Sequence, residues 1–125
     1  MIVGVGLDVL ETKRMARALE RHGERFEARV FTVAERSDCA ERFDKALALA
    51  ARFAAKEACV KALGIGWDAR FSLADVEILR LESSAPQLKV HRNVAARARE
   101  LGVRNFHVSL THQPGLAAAV VVLEG

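Results

Sequence analysis

Residues 52–64 read Arg-Phe-Ala-Ala-Lys-Glu-Ala-Cys-Val-Lys-Ala-Leu-Gly, and the rest of the chain can be placed outward from them. The stretch is rich in strong helix formers and holds no proline, so it predicts the greater part of a long helix over about 45–63. Asp44 is positioned to cap its start and Gly64 to stop it. The helix is apolar around most of its circumference, which predicts burial between other elements. Glu57 and Lys61 interrupt the apolar side, four residues apart and pointing the same way. Lys45, Arg52 and Lys56 cluster on a different face, expected to meet solvent.

Toward the N-terminus, residues 2–9 (Ile-Val-Gly-Val-Gly-Leu-Asp-Val) predict a strand with Val3, Val5 and Leu7 on one face. Asp8 falls on the opposite face near the strand's end. Gly4 and Gly6 weaken a strand and mark close backbone approach. A helix is expected over 11–22, with Met15, Ala18 and Leu19 as its apolar stripe and Gly23 as its end. Arg14, Arg17 and Arg21 share another face of it. Thr32 and Glu35 have capping-box spacing and predict a short helix over 32–42.

Toward the C-terminus, strands are expected at 75–81 and 87–91, then a helix at 93–101 stopped by Gly102. Residues 106–112 and 116–123 form the last strands, joined by the turn Gln113-Pro114-Gly115. This order predicts an α+β fold, a largely antiparallel sheet packed against the long buried helix. A length of 125 residues predicts a single domain over 1–125.

Hydrophobic residues make up 51%, enough for a sizeable core, and no long charged or Pro/Ser-rich tract argues for disorder. The net charge of +3 favours an anionic partner. Nucleic acid is not the expected one, because aromatics are only 6% and stacking platforms are scarce. Cys39 and Cys59 have no metal-site spacing and suit a reducing compartment. The N-terminal stretch lacks a basic start, Asp8 interrupts its apolar run, and no run is long enough to span a membrane. A cytoplasmic location is the resulting expectation.

Glu57 on an apolar helix is costly unless it is paired or binds a metal. The ordinary alternative is an i, i+4 pair with Lys61, worth a few tenths of a kcal/mol. Asp8 has an equally ordinary alternative as a cap for the following helix. If Asp8 and Glu57 meet, two hard oxygen ligands would suit Mg²⁺, with waters and phosphate oxygens completing the shell. His112 follows Ser109 and Thr111 where a strand meets a turn, and alone reads as a structural histidine. The arginine stripe is either a solvated face or a docking surface for an acidic helix. No serine-hydrolase elbow, Walker loop or dinucleotide fingerprint is present.

Three blocks together resemble the small bacterial holo-acyl-carrier-protein synthases, the short class of phosphopantetheinyl transferases. Gly-Val-Gly-Leu-Asp-Val-Leu-Glu-Thr-Lys-Arg at 4–14 resembles the family's opening G-x-D block and its following arginine. Residues 52–64 resemble its F-[AS]-x-K-E-A-x-x-K-A-x-G signature, the most specific of the three. Val-Ser-Leu-Thr-His at 108–112 resembles its C-terminal S-x-S-H block. Thr111 stands where the family often has serine, and keeps the hydroxyl. Ser84-Ala85-Pro86 stands where many members have Gly-Lys-Pro, so no phosphate contact is carried over to that loop.

The resemblance implies Asp8 and Glu57 as magnesium ligands and Lys61 as a catalytic lysine beside the transferred phosphate. It implies that Arg52 and His112 face coenzyme A. Arg52 lies about 140° round the helix from Glu57, so it would reach a distant phosphate of a long ligand rather than the metal. The implied reaction moves 4′-phosphopantetheine from coenzyme A to a serine of apo acyl carrier protein. Glu57, or a water ordered by Asp8 or Glu57, would take the serine proton. Arg14, Arg17 and Arg21 would dock the acidic carrier protein, and the assembly would be a homotrimer with active sites between subunits. The competing class is a non-catalytic binder of coenzyme A or another nucleotide, and a small RNA-binding protein is a third. Carrier proteins of fatty-acid, polyketide and peptide synthesis are not distinguished.

Overall fold

The structure is a computed structural model that describes residues 1–66, 70–80 and 85–125. Its axis is helix α3 (Lys45–Ala62). The Asp44 side chain caps α3 by accepting from the Leu47 amide at 3.0 Å. At the other end Gly64 takes φ +66°, and two bonds close the helix: Gly64 N donates to Lys61 O and Ile65 N to Val60 O. That is a Schellman closure, which needs a residue tolerant of left-handed backbone at this position.

Strand β1 (Ile2–Glu11) leads into α1 (Thr12–Val30), and α2 (Val33–Ala40) precedes α3. After a 3₁₀ turn at Leu73–Asp75 come β2 (Val76–Leu79), β3 (Gln87–Val90), α4 (Arg92–Glu100), β4 (Asn105–Gln113) and β5 (Leu116–Glu124). The strands form two antiparallel sheets, one ordered β1-β5-β4 and one pairing β2 with β3. The α+β architecture expected from the sequence is therefore present, with α3 lying across the larger sheet.

The inner face of that sheet presents Ala117, Ala119, Val121 and Leu123 to the helix, all buried. Gly4 and Gly6 do the same from β1, and they let the strand touch the helix backbone. A Cβ on Gly6 would lie 1.8 Å from the Ala58 carbonyl oxygen, and one on Gly4 2.1 Å from that of Ala62. Val3, Val5 and Leu7 do share a face, but it is the outer one, where they stand exposed. Glycine, not valine, packs against α3 because only backbone fits the gap.

Several elements depart from expectation. The helix predicted to end at Gly23 breaks there, with φ 54° and ψ −140°, but helical geometry resumes and runs on to Val30. Buried Glu27 and Val30, and an edge-to-face contact of Phe26 with Phe31, hold this second segment. The capping box forms as expected: Thr32 N donates to Glu35 Oε1 and Glu35 N to Thr32 Oγ1. Residue 81 of the predicted 75–81 strand, and Ser84 of the Ser84-Ala85-Pro86 departure, lie outside the described residues.

The face of α3 assigned to solvent is the main correction. Arg52 and Lys56 are both buried, and Lys56 has no exposure at all. The Lys56 ammonium donates to Glu35 Oε1 at 2.7 Å, to the Leu73 carbonyl at 3.0 Å and to the Val76 carbonyl. Three protons meet three acceptors, and the Phe31 ring lies 5.3 Å from the cation. Glu35 in turn accepts from Ile78 N at 3.0 Å. This pair joins α2, α3 and β2, and deleting either partner would strand a buried charge at a cost of about 3–5 kcal/mol. Cys39 and Cys59 are free, buried thiols, and burial pushes them up to about 11 and about 12.

Candidate active site

The close approach of β1 to α3 builds the first cluster. Residues 4, 6 and 8 alternate onto the same strand face, so Asp8 follows the two glycines toward the helix. Its Oδ1 accepts from Lys61 Nζ at 2.9 Å, and Lys61 also donates to the Leu7 carbonyl at 3.1 Å. Lys61 thus pairs across to the strand. Asp8 does not cap α1 either, since Glu11 holds the N-cap position without a side-chain bond.

Glu57 stands half-buried beside them. Burial pushes its carboxyl above the usual range, the Asp8 charge pushes it the same way, and Lys61 opposes both. Glu57 and Lys61 line a small cavity of about 70 Å³ with Val60, Ile65, Gly66 and Phe71. Asp8 and Glu57 are neighbouring hard oxygen donors whose mutual repulsion a divalent cation would relieve. Among the described residues no group of three or more metal-ligating side chains occurs. A two-carboxylate set matches Mg²⁺, which keeps several positions for water and phosphate oxygens. The donor chemistry therefore fits that ion.

Arg52 and His112 meet elsewhere, in an open cavity of about 470 Å³ where α3 passes the end of β4. Among the described residues it shares no lining residue with the first cavity. Asp38 on α2 holds two guanidiniums there: Arg52 through Nη2, and Arg42 at 3.2 Å. Arg52 also donates to the Ala48 carbonyl, and its buried Nε has no partner among the described residues. Arg80 adds a third guanidinium to this lining, which also carries Asp44 and Thr111. The Arg52 guanidinium therefore keeps one buried donor unsatisfied beside this cavity.

The sequence did not single out Asp38, Arg42 or Arg80. Asp38 and Arg42 are i, i+4 on one helix, an ordinary surface pair until α3 brings Arg52 against it. Arg14, Arg17 and Arg21 stand exposed on α1, on the side away from buried Met15.

The chain is similar to known proteins along nearly its whole length. The model of a family described as the 4′-phosphopantetheinyl transferase superfamily matches residues 4–120. The chain belongs to this superfamily. A holo-(acyl-carrier-protein) synthase of Methylobacterium radiotolerans is 47% identical, over 99% of this chain and 94% of the relative. One from Maridesulfovibrio salexigens is 44% identical over 99% of each. Among solved structures, the Neisseria meningitidis holo-(acyl-carrier-protein) synthase superposes with a TM-score of 0.89 at 29% identity, covering 100% of both chains. The Helicobacter pylori enzyme, solved in complex with coenzyme A, gives 0.83 at 27% identity over 96% of this chain and 99% of that one. Phosphopantetheinyl transferase architecture thus accounts for the whole chain.

Proposed function

We propose that this phosphopantetheinyl transferase superfamily member is a holo-(acyl-carrier-protein) synthase. It moves 4′-phosphopantetheine from coenzyme A to a serine of apo acyl carrier protein. The observation that carries the reading is the junction of Asp8, Glu57 and Lys61 at the β1–α3 contact. The curated relatives match this chain from end to end and carry that activity in their names.

In the reaction the serine hydroxyl oxygen attacks the phosphorus that bears the pantetheine arm. A new P–O bond forms to serine, the diphosphate P–O bond breaks, and its electron pair leaves on adenosine 3′,5′-bisphosphate. Glu57, or a water ordered by Asp8 or Glu57, accepts the serine proton. Lys61, oriented by Asp8 and the Leu7 carbonyl, presents its ammonium to the departing phosphate oxygen. Asp8 and Glu57 would hold Mg²⁺, which when bound offsets the charge of the diphosphate. The unpaired Nε of Arg52, with Arg42, Arg80 and His112, supports binding of the nucleotide end of coenzyme A.

The assembly proposed is a homotrimer with active sites between subunits. Two observations support it. The two cavities share no lining residue among the described residues of one chain. The outer sheet face leaves Val5, Leu7 and Val9 more than half exposed beside partly covered Val120 and Val122. A second copy would cover such a face. A cytoplasmic setting is consistent with two unoxidised thiols, and among the described residues no helix is long and apolar enough to cross a membrane.

The test is chromatography of the nucleotide after incubation with apo carrier protein and coenzyme A. Stoichiometric adenosine 3′,5′-bisphosphate is expected. Coenzyme A that binds but is never consumed, with several carrier proteins, would assign the chain to the non-catalytic binders.

A further inference from the structure

Phe43 is the anomaly of the apolar inventory. The other five phenylalanines belong to, or pack against, the two apolar clusters: Phe26, Phe31 and Phe53 in one, Phe71 and Phe106 in the other. Phe43 packs on neither, and its exposure is 107%. It immediately precedes the α3 N-cap, where an apolar residue ordinarily staples onto the residue at N4, here Ala48. Full exposure shows that the staple is not made. Yet Phe43 lines the same cavity as Arg42, Asp44, Arg52, Arg80 and His112.

An exposed aromatic ring bordering guanidiniums is the arrangement that holds a nucleobase: cations take the phosphates and the ring takes the base. Arg52 supplies the second, independent mark of a ligand here. It is buried, fixed by Asp38 and Ala48, and its Nε lacks a partner among the described residues. We propose that Phe43 is a specificity-determining residue that stacks on the adenine of coenzyme A, while the Arg42–Arg52–Arg80 wall holds the attached phosphate. This rests on the coenzyme A reading given above and assigns the base-recognition step to a named side chain. Stacking on an exposed ring explains why the apolar surface is left uncovered in the free chain. Phe43 therefore acts in substrate binding, with no part in proton transfer or in carrier-protein docking.

The experiment is a binding cycle on the purified protein with two probes, adenosine 3′,5′-bisphosphate and the same bisphosphate on a base-free ribose. Phe43→Ala is expected to weaken the adenosine probe about tenfold and to leave the base-free probe unchanged. In steady state it should raise the KM for coenzyme A by a similar factor, with kcat and the carrier-protein KM within twofold. Phe43→Trp should retain affinity and lose fluorescence when the adenosine probe binds. Equal affinities of wild type and Phe43→Ala for the adenosine probe would overturn the stacking role alone. Equal weakening of both probes would overturn it too, as would dissociation of the oligomer, which would make Phe43 a subunit contact. Failure of the wild-type protein to bind the adenosine probe would overturn this inference and the coenzyme A reading with it.

Discussion

Glu57 is a carboxylate whose proton affinity the fold raises. Its carboxyl is raised above the usual 4.5 by burial and then by Asp8. A raised carboxyl contributes stability that is complete below 4.5 and is lost as pH rises through the elevated value, because the folded chain then holds an unwelcome charge. Glu57→Gln in metal-free protein should therefore raise Tm at neutral pH and have no effect at about pH 4 or below. The same variant should lose about 10²–10³ in kcat, as expected for a group that acts on the reacting atoms. Thermal scans across pH and steady-state rates check the two halves of this prediction. Glu57 and Lys61 were visible in the sequence as charges on an apolar helix. That Lys61 pairs with Asp8 was not, since 53 residues separate them and only the β1–α3 contact brings them together. Lys56 was misplaced for a related reason. A lysine beside alanines reads as solvated until Glu35, from another helix, is found to bury it.

At the scale of elements, β1 and α3 form one unit because glycine removes everything between their backbones. Gly6→Ala puts a Cβ 1.8 Å from the Ala58 carbonyl oxygen, and backbone must move to make room. The expected cost is about 1–3 kcal/mol of stability, together with a larger loss of activity than of folding, since Asp8 moves with the strand. Denaturant midpoints measured beside kcat test this, and an unaltered rate would separate the strand from the site. Helix α1 is the proposed docking surface. Arg14→Glu should raise the KM for an acidic carrier protein about tenfold or more, by charge reversal at a docking surface, and leave coenzyme A binding unchanged. An equal loss for both substrates, measured by steady-state kinetics, would remove docking from α1. Capping signals made the ends of α2 and α3 legible, whereas α1 was read short. Gly23 does break the helix, but the residues after it regain helical geometry by packing Val30 and Glu27 onto the core.

At the scale of the molecule, the proposed homotrimer would account for both the apolar outer face and the separated cavities. Val5 is 59% exposed in the single chain and lies on that face. Val5→Lys should leave the chain folded, shift its sedimentation from three copies to one, and abolish activity by parting the two half-sites. The α+β class was legible from element order alone. The outer valines were not separable from core valines, because alternation marks two faces without naming the buried one. The proposed carboxylate site transfers phosphopantetheine with the help of a divalent ion. Its test is the intact mass of apo carrier protein after incubation with this protein, coenzyme A and Mg²⁺, run beside an EDTA control. A gain of one phosphopantetheine that EDTA abolishes and excess Mg²⁺ restores is the predicted result. Full modification in EDTA would contradict the metal role of Asp8 and Glu57, and no gain with any carrier protein would contradict the transfer itself.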